Sequence, residues 1–390
     1  MTQRRFLPVG AVMALFVLLG GVDPAQAATV SNYAMRTWQI NGTVEAIAFS
    51  GSTVYVGGRF TRVISPSGSQ SKVRRNLAAF NVATGAPRRW NPRANGEVRA
   101  IAVSPNGATV YIGGDFTSVA GVGRAHVASV SARTGNARHF APDIAASVRA
   151  IAISSDGSKL YLGGPFERAD GARRLHLASY RVATGSLRRW APNPHGSNTQ
   201  NNRIRQPSTV AAMTLSPNDA TLYVGGVFTT IRGKSRTNGA AISAGTGRVR
   251  AFRPSLSHVV LTVDVTSHGK RILFGGRGPG GFIGAYGTRR GTKLWYRHLD
   301  GDVQAATVRG RRIYVGGHFD KVAKSTGGSV TRHHLAVLSV STGSVGAWNP
   351  TANSYPGVFG MASRRGHVAA GGSFTKINGN PQAGFAEFSG

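Results

Sequence analysis

Acidic side chains are scarce in this chain, and their scarcity limits the chemistry that it can perform. Asp and Glu together number 14 among 390 residues, whereas glycoside hydrolysis needs two carboxyls held at a short, fixed separation. Asp300 and Asp302 are close in sequence, but they fall in a predicted connecting loop where water would solvate both. The segment Ser155-Asp156-Gly157 is typical of a hairpin turn. The sequence therefore offers no evident carboxylate pair.

The histidines do not form a metal-binding pattern. His126, His176 and His334 each precede a Val-Ala or Leu-Ala pair, and Asn76 and Asn238 take the same place in other copies of that segment. Hydrogen bonding between a loop and its sheet explains a position that accepts either His or Asn. Zinc or iron would also need carboxylate or thiolate ligands, and the chain has no cysteine. We expect no metal, no cofactor and no disulfide.

Asp264 is the best catalytic candidate among the acids. We align it with first-strand residues that are otherwise apolar, namely Ile47, Ile101, Ile151, Met213, Ala306 and Met361. An acid at an apolar position costs free energy unless it is paired or protonated, and such groups cluster at functional sites. The alternative is that this copy of the repeat is degenerate and Asp264 bonds to an arginine or to the backbone.

A polar column near the start of the same strands is predicted to point into a central channel. It consists of Glu45, Arg99, Arg149, Ala211, Thr262, Gln304 and Phe359. Two adjacent arginines in such a ring could hold a small anionic ligand. A water-filled channel is the other interpretation, and the sequence leaves both open.

Basic residues are the second strong signal. Lys and Arg number 47, giving a formal net charge of +33, and such a balance draws a protein to polyanions. The alternative is that the many surface arginines reflect the amino-acid usage of an arginine-rich genome and not a binding function. Long loops in the first and sixth copies, and a long connection after Trp190, crowd one predicted face, and insertions on one face of a repeat protein often mark a binding surface. That predicted basic face comprises Lys72, Arg74, Arg75, Arg124, Arg173, Arg174, Arg203, Arg205, Arg236, Lys324 and Arg332.

A repeated strand motif positions all of these residues. The segment Val54-Tyr55-Val56-Gly57-Gly58-Arg59-Phe60 recurs as seven Gly-Gly pairs spaced 41 to 62 residues apart. Each copy predicts four short antiparallel strands, and this periodicity indicates an all-β, seven-bladed β-propeller. The last copy stops after its third strand, Phe385-Ala386-Glu387-Phe388. We expect the N-terminal segment around Arg36-Thr37-Trp38 to complete blade seven and close the ring.

The motif also carries a family resemblance. Tyr-Val-Gly-Gly-x-Phe, then Leu-Ala, Thr-Gly and Trp-x-Pro, resembles the delta-sixty repeat of exported actinobacterial-type β-propellers, a looser relative of Kelch and YVTN propellers. The resemblance covers about residues 37–390. It implies the fold, and since the family has no shared catalytic motif it implies no active site. The fifth copy departs from the pattern at Arg277-Gly278-Pro279-Gly280-Gly281.

The chain begins with a predicted export signal. Arg4-Arg5, an apolar stretch over residues 8–21 and Ala25-Gln26-Ala27 are typical of a cleaved signal peptide over residues 1–27. No other stretch is apolar for the ~20 residues that a membrane helix requires. We therefore expect residues 28–390 to form one secreted, monomeric propeller domain.

Two classes of function remain open, with binding favoured over catalysis. The first hypothesis is a secreted protein that binds an anionic polymer or partner of the cell envelope, such as a cell-wall polymer, acidic polysaccharide or extracellular DNA. Sequence-specific recognition of nucleic acid is not expected, because no helix or aromatic-lined groove offers base contacts. The alternatives are an enzyme at the channel mouth, resembling a polysaccharide lyase or a quinoprotein, and a protein-interaction scaffold.

Overall fold

The computed structural model describes residues 30–200, 204–353 and 355–390, and every regular element in these residues is a β-strand. The prediction of an all-β chain is confirmed. No helix in the described residues is long and apolar enough to cross a membrane. The predicted signal peptide at residues 1–27 lies outside the described residues.

Seven antiparallel sheets recur along the described chain, and we number them one to seven in chain order. Each has a first, a second and a third strand, with the second strand in the middle. The first strands are Thr43–Ser50, Val98–Val103, Ala150–Ile153, Thr209–Leu215, Val260–Val265, Val303–Arg309 and Val358–Arg364. The second strands are Thr53–Arg59, Thr109–Gly114, Lys159–Gly163, Thr221–Val227, Arg271–Gly278, Arg312–Gly317 and His367–Gly372. The third strands are Leu77–Asn81, Val127–Ser131, Leu177–Arg181, Gly239–Ser243, Gly280–Gly287, Leu335–Ser339 and Phe385–Ser389.

Short strands of two or three residues form ribbons in the loops between these elements. Most belong to the loops that lead from second to third strands, at what we call the loop end of the sheets. The short strands are Gln39–Ile40, Arg62–Ile64, Ser71–Val73, Ser118–Val119, Val122–Gly123, Arg168–Ala169, Ala172–Arg173, Pro194–His195, Asn198–Gln200, Ile204–Gln206, Thr230–Ile231, Lys234–Ser235, Lys321–Ala323, Ser329–Thr331, Lys376–Ile377 and Asn380–Pro381.

The predicted fourth strand is a regular strand only in sheet five, among the residues that the structure describes. There Lys293–Leu299 pairs with the third strand. In five other sheets the fourth segment makes a single bridge to the third strand, as between Phe80 and Pro87. A proline follows two residues after the aromatic residue of each of these segments, at Pro92, Pro142, Pro192, Pro254 and Pro350. Proline lacks the N–H that a ladder requires, and Lys293–Leu299 contains no proline.

The first strands of successive sheets contact one another, and the first strand of sheet seven contacts that of sheet one. The first glycine of each Gly-Gly pair makes this approach possible. Gly57 lies against Val98 of sheet two, and Gly371 lies against Val44 of sheet one, with no room for a Cβ atom at either glycine. The contacts between sheets therefore follow a cyclic order.

A β-bulge near the start of six of the seven first strands sets the direction of the side chain at the bulge. In sheet one the register shifts between Val44 and Ala46, so Glu45 is the extra residue. Such a bulge re-aims the side chain of the extra residue. The other bulge residues are Arg99, Ala211, Leu261, Gln304 and Phe359. In sheet three, the N–H of Arg149 donates to the carbonyl of Gly163, which also pairs with Ala150.

These registers correct the predicted alignment of sheet five by one residue. Leu261, and not Thr262, is its bulge residue. Asp264 pairs with Leu273 as Ala48 pairs with Tyr55, so Asp264 belongs with Ala48 and not with Ile47. The prediction slipped because Val259, Val260 and Leu261 are all apolar, and apolar character alone does not identify the residue that starts the strand.

The N-terminal segment runs beside the third strand of sheet seven. The N–H groups of Ser31 and Met35 donate to the carbonyls of Ser389 and Glu387, at 2.9 and 2.7 Å. Trp348 Nε1 donates to the carbonyl of Ser31 at 2.9 Å. By hydrogen-bond register Met35 matches Arg88 of sheet one, so buried Thr37, and not Trp38, stands two residues later where the other sheets have their aromatic residue.

Candidate functional site

A central cavity of about 430 Å³ is lined by the first strands of all seven sheets that the structure describes. All seven residues of the predicted channel column line it: Glu45, Arg99, Arg149, Ala211, Thr262, Gln304 and Phe359. Four of these residues have long polar side chains. Glu45, Arg99 and Gln304 are the bulge residues of their strands, and Arg149 directly precedes the strand Ala150–Ile153. The cavity therefore brings together polar groups that are 50 to 259 residues apart in sequence.

Arg99 holds three carboxylates together at the cavity. Its Nε lies 2.5 Å from Asp115 Oδ2, one terminal nitrogen lies 2.6 Å from Glu97 Oε2, and the other lies 3.8 Å from Glu45 Oε2. Glu97 precedes the first strand of sheet two and Asp115 follows its second strand, so the sheet itself positions both. This cluster was not predicted from the sequence. Its sequence signal is that Glu97 directly precedes Val98-Arg99 and Asp115 directly follows Gly113-Gly114.

The surroundings of this cluster shift the pKa values of Glu45 and Asp115 in opposite directions. Burial, together with repulsion by Glu97, raises the pKa of Glu45 to about 7, although Arg99 acts against this rise. Burial also tends to raise the pKa of Asp115, but the hydrogen bonds from Arg99 and Ser147, together with the positive charges of Arg99 and Arg149, outweigh burial and lower that pKa. Glu45 therefore exchanges its proton near neutral pH, as a general acid or base must.

A second polar cluster reaches the cavity from sheets five and six. Arg277 lines the cavity, and its Nε lies 3.5 Å from Asp302 Oδ2. The backbone N–H of Asp302 donates to His318 Nε2 at 3.3 Å, and Gln304 Nε2 lies 3.4 Å from His318 Nδ1. Burial raises the pKa of Asp302, opposed by Arg277 and then by His318. Arg149, from sheet three, has its pKa lowered first by burial and then by Arg99.

Asp264 does not belong to the lining of this cavity in the described structure. Its Oδ1 accepts the N–H of Val265 at 2.8 Å, and its Oδ2 accepts the N–H of Val308 at 2.7 Å. Burial raises its pKa to about 6, against the effect of these two bonds. The carboxyl therefore ties the first strands of sheets five and six, which matches the alternative of bonding to the backbone.

Five arginines of the predicted basic face are engaged by backbone carbonyls. In each, the guanidinium donates to the carbonyl of the preceding residue and to that of the residue 14 positions later; for Arg174 these are Arg173 at 2.9 Å and Arg188 at 3.0 Å. The same pair of bonds is made by Arg74, Arg124, Arg236 and Arg332. We call these five residues the arginine clamp, and burial lowers the pKa of its members Arg74, Arg236 and Arg332. Each clamp holds the fourth segment of a sheet to its loop.

The remaining residues of the predicted face have different surroundings. Lys72, Arg75, Arg173 and Lys324 are exposed at the loop end, and the ammonium of Lys72 lies 5.1 Å from the ring centre of Trp38. Arg203 lies outside the described residues. Arg205 belongs to the strand Ile204–Gln206, which pairs with Asn198–Gln200.

The His/Asn column has a conformational cause. The residue two positions after each clamp arginine has a positive φ, between 60° and 67°. These residues are Asn76, His126, His176, Asn238 and His334. Asn and His adopt this left-handed region more readily than most residues. Their backbone groups bond to the second Gly of the pair and to the motif Phe, as His126 does with Gly114 and Phe116.

Comparison with known proteins returns no family model and no curated protein that matches the chain. Its function must follow from three features of the molecule. These are a cavity with two clusters that each contain acidic and basic side chains, clamp arginines that each donate to two backbone carbonyls, and exposed cations in excess of the available carboxylates.

Proposed function

We propose that this chain is an exported, seven-bladed β-propeller of the delta-sixty type that binds an anionic polymer. Three observations support the propeller: the cyclic contacts between first strands, the cavity that all seven first strands line, and the N-terminal segment hydrogen-bonded to sheet seven. The fourth position of blade seven is then filled by the N-terminal segment, which leaves no open sheet edge.

The uncompensated positive charge carries the proposal for binding. Without residues 1–27 the chain keeps 45 Lys and Arg residues against 13 Asp and Glu residues. Many of those acids already have partners. Glu97 and Asp115 bind Arg99, and Asp320 and Glu387 contact histidines. Asp156 and Asp219 accept hydrogen bonds from serine hydroxyls. The net field of the molecule is therefore positive and attracts polyanions.

The candidate partners are a phosphate-bearing cell-wall polymer, an acidic polysaccharide and extracellular DNA. Arginine dominates the basic residues, and its planar fork binds phosphate and carboxylate groups in a bidentate manner. Binding of such polymers releases their condensed counterions, so affinity falls as salt rises.

Co-sedimentation with cell-envelope material across a salt titration tests this function. We expect residues 28–390 to sediment with the envelope at about 50 mM salt and to be released by about 500 mM salt. A neutral polysaccharide gel serves as the control for carbohydrate binding without charge. No binding at low salt, or binding indifferent to salt, would refute polyanion recognition.

The Arg99 cluster favours acid–base catalysis at the cavity as a second candidate function. Glu45 and Glu97 both contact Arg99, which places a protonatable carboxyl beside ionised groups at an open cavity. Turnover of an anionic polysaccharide by the wild type, lost in Glu45→Gln and kept in the exposed control Glu167→Gln, would support it. An absence of turnover across carboxylated and sulfated polysaccharides would reject it.

A further inference from the structure

The turns that join first to second strands, at what we call the hairpin end, differ between the two halves of the molecule. In sheets one to four these turns, residues 50–52, 104–107, 154–157 and 216–219, contain no Lys or Arg. In sheets six and seven, residues 309–311 and 364–366 include four arginines, and in sheet five Lys270 follows directly after Gly269. Four copies form their turns without cations, so the fold does not require them in the other three.

Sheet five adds two more cations from its turn between third and fourth strands. Arg289 and Arg290 stand there in place of Ala83 and Thr84 of sheet one, since Gly291 bonds to Gly287 as Gly85 bonds to Asn81. Thr288 Oγ1 donates to the carbonyl of Gly269 at 2.7 Å, and the N–H of Thr288 donates to the carbonyl of Lys270 at 3.3 Å. The two turns are therefore tied together and present their cations on one rigid platform.

These turns form two adjoining depressions that share Lys270. One, of about 540 Å³, is lined by Lys270, Arg289 and Arg290, and the other, of about 320 Å³, is lined by Lys270, Arg271 and Arg311. Arg271 is fixed in place by a 2.7 Å bond to the carbonyl of Val340. Neither lining, within the described part of the chain, includes a carboxylate. We call these two depressions together the basic groove.

We propose that the basic groove binds an acidic polysaccharide, an inference that rests on the polyanion-binding function proposed above. Five cations in two adjoining depressions match a chain that carries anionic groups on successive units, and arginine binds sulfate or carboxylate oxygens with two parallel bonds. The linings also contain hydroxyl groups, including those of Ser267, Thr292 and Ser341, which suit the hydroxyls of a sugar.

Nucleic acid fits this groove less well. Single-stranded nucleic acids are bound through aromatic side chains on which the bases stack, and neither lining in the described structure includes Phe, Tyr or Trp. Five of the loop-end arginines are also a weaker alternative, because the arginine clamp engages their guanidinium groups with carbonyls.

A triple variant built from the other repeats tests the groove. Lys270→Ala, Arg289→Ala and Arg290→Thr introduce the residues that sheet four has at Ala220 and sheet one has at Ala83 and Thr84, so the turns should keep their shape. The matched control removes three exposed cations of the fourth segments by Arg89→Ala, Arg189→Ala and Arg248→Ala. Thermal unfolding of each variant verifies that it is folded.

Dextran sulfate is the probe, with uncharged dextran and a DNA duplex of matched charge as comparisons. We expect the groove variant to bind dextran sulfate about tenfold more weakly, with a shallower dependence on salt, while the control stays within about twofold of the wild type. Wild-type binding that the groove variant retains would overturn the groove and leave the proposed function standing. Failure of the wild type itself to bind dextran sulfate or envelope material would overturn both, and tighter groove-dependent binding of DNA would overturn the polysaccharide assignment.

Discussion

Two titratable carboxyls outside the cavity lining, Asp264 and Glu387, contact the backbone and a histidine respectively. Asp264 accepts two backbone N–H groups from the first strands of sheets five and six. Glu387 is fully buried in the third strand of sheet seven, and its Oε1 lies 2.8 Å from His367 Nδ1. It pairs with Ala369, whereas the matching pair in sheet one is Tyr55 with Ala79. The larger residue of the pair thus lies on the third strand in sheet seven and on the second strand in sheet one, and a titratable group enters the core.

Replacing Asp264 should affect stability and leave ligand binding unchanged. In Asp264→Ala, the N–H groups of Val265 and Val308 lose their acceptors, so we expect the free energy of unfolding to fall by about 2–3 kcal/mol. Asp264→Asn keeps one acceptor oxygen and should cost less. Urea unfolding at pH 7.5 measures both. Equal stability of Asp264→Ala and the wild type would contradict the tie between the strands, and lost binding by a folded Asp264→Asn would return Asp264 to the functional site.

Glu387 should make stability depend on pH. Burial raises its pKa from the usual 4.5 to about 7, although Arg364 acts against this rise. The folded protein therefore binds this proton more tightly than the unfolded chain, so the stabilising contribution is complete below pH 4.5 and is lost as the pH rises through about 7. Glu387→Gln should match the wild type at low pH and exceed it by about 2–3 kcal/mol above pH 7.

Unfolding curves at pH 4.5, 6 and 8 would measure this difference. The exposed Glu167→Gln is the control, and it should follow the wild type at every pH. A Glu387→Gln variant whose advantage does not grow with pH would show that the buried carboxyl is not the source.

At the scale of the element, the repeat unit is closed by an arginine that serves the fold. The clamp arginine bonds to one carbonyl in the loop that joins the second strand to the third and to another in the fourth segment, and the residue two positions on has a positive φ. In sheet seven Gln382 takes the place of the clamp and donates to the carbonyl of Phe385 and to Thr37 Oγ1. Six of the seven sheets therefore have a forked donor at this position, and sheet five has Gly280 there together with a regular fourth strand.

Arg174→Lys tests the role of this forked donor while the charge stays the same. Lysine has a single ammonium group and cannot reproduce the two divergent bonds to Arg173 and Arg188, so we expect a loss of about 1–2 kcal/mol in unfolding free energy. Its exposed neighbour, changed as Arg173→Lys, should stay within about 0.5 kcal/mol of the wild type. Equal effects of the two substitutions in urea unfolding would rule out the clamp.

The sequence predicted the strands of this element better than the roles of its side chains. The Gly-Gly pairs and turn glycines gave the first three strands of each sheet, because their spacing follows directly from backbone geometry. Asp264 was aligned one residue away from its true position, because the sequence does not show which residue of the apolar run Val259-Val260-Leu261 forms the bulge. The clamp arginines were assigned to a binding face because the residue type alone does not show whether a guanidinium contacts solvent or backbone carbonyls. Their recurrence two residues before the His/Asn column was the signal that separates the two.

At the scale of the whole molecule, the proposed ring depends on a segment from the opposite end of the chain. Residues 31–40 bond along Phe385–Ser389 and its preceding loop. Val30 is buried in one cluster with Trp348 and Phe388. In a cyclic arrangement every sheet packs between two neighbours, so loss of one edge is felt by the whole ring and cannot be confined to one sheet.

Removal of this segment should therefore lower the stability of the entire molecule. We expect a chain that begins at residue 38 to unfold roughly 10 °C below one that begins at residue 28, in a single transition, because the third strand of sheet seven loses its partner and exposes an open edge. Where that truncation fails to fold, Val30→Asp gives the same test by placing a charge among Trp348 and Phe388, and Tyr33→Asp, at a residue that is 71% exposed, is its control. Melting curves that coincide for Val30→Asp and Tyr33→Asp would refute closure by the N-terminal segment, since a segment that does not hold the ring together can accept a charge at either residue equally well.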